Sequence, residues 1–356
     1  MQEARVHILV AILDWGLGHA TRSIPIIRLL QRRNYKISIA GNGQSLSLLK
    51  QEFPDLMFNE LISYRVTYPA AGWLLTTILF QLPKFLAAIR KEHQQIEKIV
   101  SAQKVDFIIS DNRYGCYSKR VPSVFITHQL TILLPAPLKA IANYFNHQFI
   151  TNFRICWVPD DPQHRFSGKL SDSKRLTITY IGMLSRFQPK DEIEDPELML
   201  GLISGPEEQR TNFEVVLTGA FASWTGKSVI IRGIPKGSDK AHPQITFINH
   251  LPGSELNRVV QQAGIIVARS GYSTVMDLCR LGKKKVIFIP TPGQPEQEYL
   301  ATELDRKKIA LRVAQDQFNL PQAIQALKTY TGFEAINSQP NLLEGALDEL
   351  VQLKQE

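Results

Sequence analysis

The fold is decided by residues 267–299, whose sequence is VARSGYSTVMDLCRLGKKKVIFIPTPGQPEQEY. The apolar run Gly264–Ala268 predicts a buried strand that ends at Arg269, and the glycine two residues later permits a tight turn or a close ligand contact. Apolar side chains then cluster on one side of a predicted helix from Val275 to Leu281. The run Lys285–Ile289 predicts the next strand. The stretch is therefore predicted to form two buried strands around one helix.

The predicted helix starts at the loop that follows the first strand. Ser273 and Thr274 are typical capping residues, and the unpaired N–H groups and dipole of a helix start bind anions. Asp277 lies about one turn further on, where a carboxylate can accept hydrogen bonds from sugar hydroxyls, as acidic residues do in dinucleotide folds. Taken alone, however, the stretch is equally typical of an ordinary αβ unit with a polar loop.

Composition and charge narrow the class of protein. A chain of 356 residues suggests two domains, and its 44% hydrophobic and 21% charged residues are typical of a globular protein. The excess of 41 Lys and Arg over 33 Asp and Glu favours anionic partners such as nucleotides, nucleic acid or a membrane surface. The three cysteines are far apart and odd in number, so we expect neither a disulfide framework nor a zinc cluster, and a reducing compartment. No signal peptide is evident.

A second glycine-containing loop lies near the start of the chain. The apolar run Val6–Leu13 predicts a central parallel strand, and Gly16-Leu17-Gly18-His19 follows it before an apolar helical pattern. This spacing differs from the three-glycine dinucleotide fingerprint, which argues against NAD and FAD. His19 is expected beside the carboxyl edge of the sheet, where open α/β folds place their ligands. The alternative is a histidine that only bonds the loop backbone.

The remaining chain continues the alternation of strands and helices. Phe107–Asn112 and Val124–Gln129 are predicted strands with polar ends that would assemble one cleft with His19. A second alternation begins near Thr177 and includes a predicted strand at Glu214–Thr218. These patterns predict two doubly wound α/β domains facing each other, with a loop-like approach to their boundary at residues 159–176. The pair Asp160-Asp161 in that loop is a weak metal candidate, and no metal site is predicted.

Residues 66–91 carry an unusual charge pattern. Residues 66–83 contain no charged side chain, and Lys84, Arg90 and Lys91 follow. Polar residues, glycine and prolines dilute the apolar run, so we predict that it does not span a membrane. An apolar face beside basic residues suits a helix lying on an anionic bilayer, but a buried helix has the same pattern. Peripheral membrane contact through residues 66–91 therefore stays one of two alternatives.

The glycine loop of residues 16–19, the turn of residues 204–207 and residues 269–297 together resemble a known family. The chain resembles the GT-B glycosyltransferases related to the lipid-linked N-acetylglucosaminyltransferase of peptidoglycan synthesis, a family 28-like group. This resemblance implies two Rossmann-like domains that face a central cleft. It implies an acceptor-binding domain over residues 1–165, a nucleotide-sugar domain over 166–340, and a C-terminal helix over 341–356 that packs back on the first domain.

The resemblance also implies roles for individual residues. His19 would be the catalytic base, Asp277 would hold the ribose, and Arg186 would neutralise the donor diphosphate. The predicted donor-binding residues are Arg186, Gly205, His250, Ser270, Gly271, Ser273, Thr274, Asp277, Gln294 and Gln297. The predicted acceptor-binding residues are Gly16, Gly18, His128 and Gln129. Two departures from the family pattern stand out: Asp14-Trp15 replaces the glycines that usually begin the first loop, and Ser204-Gly205-Pro206 replaces a more glycine-rich turn.

The function that the resemblance implies is transfer of a hexose from a UDP-sugar to a hydroxyl acceptor by inverting displacement. The acceptor would be a lipid-linked or cell-envelope molecule, the reaction would need no metal or cofactor, and the protein would act in the cytoplasm or at the inner face of the membrane. One alternative is a nucleotide-sugar hydrolase, because Gly-Leu-Gly-His-x-x-Arg also resembles the opening of a UDP-sugar hydrolase. Another is a nucleotide-binding regulator without catalysis. Nucleic-acid binding is not expected, because the basic residues are dispersed and are not interleaved with aromatics.

Overall fold

The computed structural model describes residues 5–64, 74–134, 138–171, 176–234, 237–336 and 340–353. The chain divides into two compact units, one formed by residues 1–184 and 339–356 and the other by residues 185–338. Each unit is built on one parallel β-sheet. The predicted α/β class, with a doubly wound sheet in each half, is confirmed.

The first unit contains a seven-stranded sheet with the order β3-β2-β1-β4-β5-β6-β7. Every residue of its central strand β1 is buried, as expected for a parallel strand covered on both faces. The strands are β1 His7–Ile12, β2 Lys36–Gly41, β3 Met57–Glu60, β4 Phe107–Asp111, β5 Ser123–Ile126, β6 Ile155–Val158 and β7 Ile178–Tyr180. The helices are α1 Gly18–Arg32, α2 Gly43–Glu52, α3 Leu74–Gln103, α4 Leu138–Ile150 and, at the end of the chain, α10 Pro340–Gln352.

The second unit repeats this topology with a six-stranded sheet of order β10-β9-β8-β11-β12-β13. Its strands are β8 Asp195–Leu202, β9 Lys227–Ile231, β10 Ile245–Ile248, β11 Ala263–Ala268, β12 Val286–Phe288 and β13 Leu311–Arg312. Its helices are α5 Gln209–Phe221, α6 Gly253–Gln262, α7 Tyr272–Arg280, α8 Pro295–Arg306 and α9 Leu320–Leu327. In both sheets the chain order reverses between two central strands, β1 and β4 in the first and β8 and β11 in the second, and open α/β folds bind ligands at such a point.

The boundary between the units lies later than the residue 165/166 boundary expected from the sequence. Strand β7 pairs in parallel with β6, Cys156 lying opposite Ile178, so residues up to Leu184 stay with the first unit. The last helix, α10, also groups with the first unit, where Arg33 forms ion pairs with Glu344 and Asp348. The stretch predicted to approach the boundary, residues 159–176, thus precedes one more strand of the same sheet.

The strand predicted at Glu214–Thr218 is wrong, because these residues lie inside helix α5. Two adjacent β-branched residues, Val215 and Val216, suggested a strand. In the structure, Phe213, Leu217 and Phe221 are fully buried at a spacing of four residues, which is the period of one helix face. Val215 points outward and is 65% exposed. Packing of the helix face against the sheet therefore outweighs the local β-propensity.

Helix α3 contains part of the stretch that was considered for membrane contact. Residues 65–73 lie outside the described part of the chain, so the prediction for residues 66–91 is covered by the structure only from Leu74 onward. No helix within the described ranges is both long enough and apolar enough to cross a membrane. Further along α3, Ile89, Ile96 and Val100 are buried in the core of the first unit.

Candidate functional site

The first unit gathers a polar cluster where β1 and β4 separate. His19 and Arg22 lie in the first turns of α1, which follows β1, and Asp111 is the last residue of β4. His128 follows the end of β5. The parallel pairing of these strands brings their carboxyl ends to one edge of the sheet, so residues far apart in the chain become neighbours. We define His19, Arg22, Asp111 and His128 as the histidine cluster.

Asp111 is the centre of the histidine cluster. Its Oδ1 lies 2.9 Å from His19 Nδ1, and its Oδ2 accepts a 2.7 Å hydrogen bond from Arg22 Nε. A second nitrogen of Arg22 donates to Oδ1, which makes the ion pair bidentate. Arg22 Nη1 also lies 2.9 Å from His128 Nδ1. Arg22 and Asp111 are almost completely buried, with side chains 2% and 1% exposed, while the side chain of His19 is 13% exposed.

The partners of His19 define its chemical state. Burial lowers the pKa of His19, the charge of Arg22 lowers it further, and Asp111 only partly opposes them, so the imidazole is neutral near pH 7. Two partners compete for His19 Nδ1, because Asp111 Oδ1 can only accept a hydrogen bond and Arg22 Nη2, also 2.9 Å away, can only donate one. In the tautomer that Asp111 favours, Nδ1–H donates to the carboxylate and the lone pair is on Nε2. Burial alone would raise the pKa of Asp111, but the charge of Arg22 and the hydrogen bonds from Arg22 and His19 outweigh it and lower the pKa. With Nδ1 protonated, the histidine cluster holds a neutral imidazole whose Nε2 is basic.

The predicted acceptor residues lie around this cluster. Gly16 has φ +95, a conformation that other residues rarely adopt, and Gly18 is the first residue of α1. His128 is buried against Arg22. The backbone N–H of Gln129 donates to the hydroxyl of Thr127. The structure thus places all four predicted acceptor residues at the carboxyl edge of the first sheet, Gly18 at the start of α1 and the other three in loops.

In the second unit, the loop after β11 and the start of α7 hold four predicted donor residues. Gly271 is the N-cap of α7, with Ser273 and Thr274 in its first turn, so capping falls to Gly271 and not to the two hydroxyl residues. The N-cap makes no side-chain hydrogen bond, and the backbone N–H of Val275 donates to the carbonyl of Gly271. The first-turn N–H groups and the dipole of α7 form an end that favours anions.

Ser270 and two glutamines tie this loop to the loop after β12. The buried hydroxyl of Ser270 donates to the carbonyl of Gln297 at 2.8 Å. Gln297 Oε1 accepts from Thr291 N at 2.9 Å, and its amide nitrogen donates to Gln294 Oε1. Gln294 is the N-cap of α8. The predicted sugar-binding amides and the predicted phosphate loop are therefore parts of one hydrogen-bonded unit.

Asp277 lies on α7 beside the start of the second unit. Its Oδ1 accepts from the hydroxyl of Ser185, and its Oδ2 lies 3.8 Å from Arg186 Nε. Burial raises the pKa of Asp277 to about 6, because the charge of Arg186 and the hydrogen bond from Ser185 offset only part of the desolvation. Two predicted donor residues, Asp277 and Arg186, are thus neighbours, and the carboxyl group titrates close to neutral pH.

The last two predicted donor residues follow other strands of the same sheet. Gly205 follows β8, has φ +110 and is exposed, and a Cβ at this position would meet no atom within 4 Å. His250 follows β10 and is half-buried, and burial together with the charge of Arg186 lowers its pKa. Both residues lie in loops at the carboxyl edge of the second sheet, as do the residues after β11 and β12.

Three charged residues next to these loops were not assigned from the sequence. Two of them, Arg22 and Asp111, complete the histidine cluster. The spacing of three residues places His19 and Arg22 on one face of α1, so Arg22 could have been found from the sequence. Arg269, at the end of β11, is 1% exposed and donates to the carbonyls of Ile289 and Pro290 at 2.9 Å and 3.0 Å. Burial lowers the pKa of Arg269 to about 10. Within the described ranges no carboxylate forms an ion pair with it, so it leaves positive charge directly before Ser270.

The two carboxylates of the acidic pair after β6 bond to residues of the loop that contains them. Asp160 Oδ2 accepts from the backbone N–H and the hydroxyl of Ser167, and Asp161 pairs with Arg165. No group of three or more metal-ligating side chains occurs in the part of the chain that the structure describes. The three cysteines are free and buried.

Comparisons with known proteins agree with this architecture. Residues 236–344 match the glycosyltransferase family 28 C-terminal domain. The chain is similar in structure to the glycosyltransferase of kitacinnamycin, with a TM-score of 0.62 and 18% identity over 98% of this chain and 95% of that one. It is also similar to SnogD from Streptomyces nogalater, with a TM-score of 0.62 and 11% identity over 99% and 96% of the two chains.

A further similar structure is MurG from Acinetobacter baumannii, with a TM-score of 0.61 and 13% identity over 98% of this chain and 100% of that one. At these identities the likeness establishes the fold, which is that of the GT-B glycosyltransferases. MurG is one of several such neighbours. No curated protein matches the chain. The family match and the fold together support glycosyl transfer.

Proposed function

We propose that this protein is a glycosyltransferase that moves a sugar from a UDP-sugar to a hydroxyl group of an acceptor. The observation that carries the proposal is the pairing of His19 with Asp111 beside the order reversal of the first sheet. A neutral histidine oriented by a buried carboxylate is suited to take a proton from a hydroxyl group. The family 28 match at residues 236–344 supports assignment of the donor to the second unit.

In the second unit, the start of α7 would bind the donor diphosphate through its first-turn N–H groups. Arg186 would add positive charge, and Arg269 would raise the local potential without touching the ligand. Asp277, when ionised, would accept hydrogen bonds from the ribose hydroxyls. Gln294 and Gln297 would contact the donor sugar at the start of α8.

The proposed reaction is one direct displacement. The acceptor oxygen forms a bond to the anomeric carbon while the bond from that carbon to the diphosphate oxygen breaks, which inverts the anomeric configuration. The acceptor proton passes to Nε2 of His19, and the imidazolium is stabilised by Asp111. The electron pair of the broken bond leaves with the nucleoside diphosphate, whose charge is balanced by the α7 start and Arg186.

An assay of nucleotide-sugar turnover tests this function. Donors are first selected by the thermal stabilisation that they give, and release of nucleoside diphosphate is then measured with and without hydroxyl acceptors. We expect acceptor-dependent release and a glycosylated product. His19→Ala is expected to lower kcat by about 10²–10⁴-fold, which is the usual contribution of general base catalysis.

The matched control is His93→Ala, which removes a histidine of the same unit that stacks on Tyr117 at 4.2 Å between ring centroids. It should keep full turnover. Release of free sugar at the same rate without any acceptor would indicate that the protein is a nucleotide-sugar hydrolase and not a transferase. Stabilisation by UDP without turnover of any donor would indicate a nucleotide-binding regulator.

A further inference from the structure

Two adjacent residues, Asp14 and Trp15, begin the loop of the candidate acceptor site. This loop joins β1 to α1 and ends at His19, the proposed base. Side chains at these two positions are therefore near the start of the helix that carries the reacting histidine. Their contacts indicate what kind of acceptor the loop accommodates.

Asp14 occupies the start of helix α2. Its Oδ1 accepts a hydrogen bond from Ser45 N at 2.9 Å. The carboxylate lies so close to the backbone of Gly43 that a Cβ there would fall 1.8 Å from Asp14 Oδ2. A helix start is a natural site for an anion, and here the anion is a side chain of the protein. The negative charge of Asp14 therefore disfavours a phosphate at this end of the loop.

Trp15 presents its indole on a fixed part of the backbone. Asp14 is tied to α2 on one side, and on the other the carbonyl of Gly16 accepts from Ser45 Oγ at 3.3 Å. The side chain of Trp15 is 42% exposed, which makes it one of the few large hydrophobic side chains that the described residues expose. Trp15 is therefore a partly exposed indole in the loop that leads to the His19 helix.

A second aromatic ring supports the indole from within the unit. The rings of Trp15 and Tyr64 meet edge to face, with 6.3 Å between centroids and an interplanar angle of 75°. Tyr64 is 3% exposed, its hydroxyl donates to the buried Glu92, and the Arg113 guanidinium lies 5.3 Å from its ring centre. Tyr64 is therefore locked by a buried network, and the orientation of Trp15 is preorganised.

We propose that Trp15 is a specificity-determining residue that stacks on a ring of the acceptor, and that the ring bearing the accepting hydroxyl carries no neighbouring phosphate. Indole offers a broad apolar face at low cost in conformational entropy, and it packs on the C–H face of a pyranose or on an aromatic ring. The exclusion of phosphate follows from Asp14 at the α2 start. The inference rests on the proposed function for its acceptor role, but the stacking itself is testable by binding alone.

Binding of three small probes to the full chain tests the proposal. Methyl β-D-glucopyranoside presents a pyranose, 7-hydroxycoumarin presents an aromatic ring, and glucose 1-phosphate adds a phosphate to the pyranose. Affinities are measured by saturation-transfer NMR for the wild type, Trp15→Ala, Trp15→Phe and Trp224→Phe. Trp224 is the control, because it lies in the second unit with its Nε1 bonded to the carbonyl of Glu197 at 2.9 Å.

We expect the wild type to bind the glucoside or the coumarin, and the preferred probe identifies the type of ring. Trp15→Ala should lower that affinity about tenfold, or ~1.4 kcal/mol, while Trp15→Phe should stay within about threefold. Trp224→Phe should leave it unchanged, and glucose 1-phosphate should bind more weakly than the glucoside. Thermal unfolding of each variant verifies that the fold is intact.

Equal binding by the wild type and Trp15→Ala would overturn the proposal, as would tighter binding of glucose 1-phosphate or no binding of either ring compound. These outcomes differ from a failure of the proposed function. If no nucleotide sugar is turned over but ring binding depends on Trp15, the stacking site is supported and the transferase assignment is wrong. If transfer occurs and is equally fast in Trp15→Ala, the transferase stands and the role of Trp15 falls.

Discussion

Asp111 in the first unit and Asp277 in the second are buried beside the candidate loops, and their pKa values are shifted in opposite directions. Asp111 in the first unit receives a bidentate ion pair from Arg22, and its pKa is lowered despite burial. Asp277 in the second unit has Arg186 only at 3.8 Å, and burial raises its pKa to about 6. Both groups are buried, so the closer contacts of Asp111 with Arg22 and His19 account for the opposite directions of the two pKa shifts.

This difference matches the work that each residue is proposed to do. A carboxylate that stays ionised can orient His19 and stabilise its positive charge after proton transfer. A carboxyl group that titrates near neutral pH is poorly satisfied by the protein alone, so ribose hydroxyls can supply the hydrogen bonds that stabilise its ionised form. Asp111 is proposed to be a permanently ionised partner of His19, and Asp277 is proposed to be a group whose hydrogen bonding is completed by the ligand.

The largest expected effect comes from removing the charge of Asp111. Asp111→Asn leaves Arg22 buried without its counter-ion, so the free energy of unfolding should fall by about 3–5 kcal/mol. Acceptor-dependent turnover should fall as well, because His19 loses its oriented partner. Urea unfolding measures the first effect and the coupled assay of nucleoside diphosphate release the second.

The control for Asp111 is Glu52→Gln, which breaks the partly exposed pair of Glu52 with Arg28 and should cost less than ~1 kcal/mol. A loss of stability no greater in Asp111→Asn than in Glu52→Gln would show that the first-unit ion pair contributes little. The claim that Asp111 is held ionised by a strong ion pair with Arg22 would then be wrong.

The pH dependence of stability should reveal Asp277. Because its folded pKa of about 6 exceeds its ordinary value of 3.8, the folded state binds the proton more tightly than the unfolded chain. This contribution to stability is fully present below the unfolded pKa and is lost as pH rises through about 6. The shift of about two pKa units corresponds to ~3 kcal/mol.

Asp277→Asn isolates this contribution because the amide does not titrate. The difference between wild-type and variant free energies of unfolding should decline by up to ~3 kcal/mol between about pH 4 and about pH 7.5. Urea titrations at both pH values measure it. A difference that is independent of pH would mean that Asp277 has an ordinary pKa.

The affinity for the donor should also depend on the protonation of Asp277, but it should rise with pH where the free energy of unfolding falls. If ribose hydroxyls donate to ionised Asp277, UDP should bind about tenfold more weakly one pH unit below the pKa than well above it. Calorimetry of the wild type and Asp277→Asn at several pH values separates this effect from the titration of UDP itself, which both proteins share. A pH dependence of affinity that is identical in the two proteins would remove Asp277 from the donor site.

The smallest effect is expected at Arg269. Arg269→Met keeps much of the side-chain volume but removes the buried positive charge before Ser270, so UDP should bind about fivefold more weakly, or ~1 kcal/mol. Arg312→Met, which removes an arginine of the same unit that pairs with Glu298 at 2.7 Å and is 37% exposed, is the control. Equal affinities in both variants would mean that Arg269 acts only by tying together the carbonyls of Ile289 and Pro290.

Much of the fold follows from local sequence pattern, because parallel strands are short apolar runs that are buried on both faces. The strand at Ile245–Ile248 was predicted with the bounds that the structure has. Glu214–Thr218 was predicted as a strand and not as part of helix α5, because Val215 and Val216 favour a strand locally. Only the burial of Phe213, Leu217 and Phe221 against the sheet reverses that preference.

The candidate site is predictable only in part for the same reason. The glycine loop and His19 are contiguous in sequence, so their proximity could be inferred. The partner of His19 lies 92 residues away on β4, and the partner of Asp277 lies 92 residues away at Ser185, so neither pairing is visible in a single sequence. Strand order creates these contacts, which act together with burial on the pKa values of His19 and Asp277.

The central claim is that His19, oriented by Asp111, takes the acceptor proton during sugar transfer. The most direct test is the single-turnover rate of transfer by His19→Gly with and without added imidazole. We predict a rate about 10²–10⁴-fold below that of the wild type, with recovery that saturates as imidazole replaces the missing side chain beside Asp111. Transfer at the wild-type rate by His19→Gly without imidazole would contradict the account.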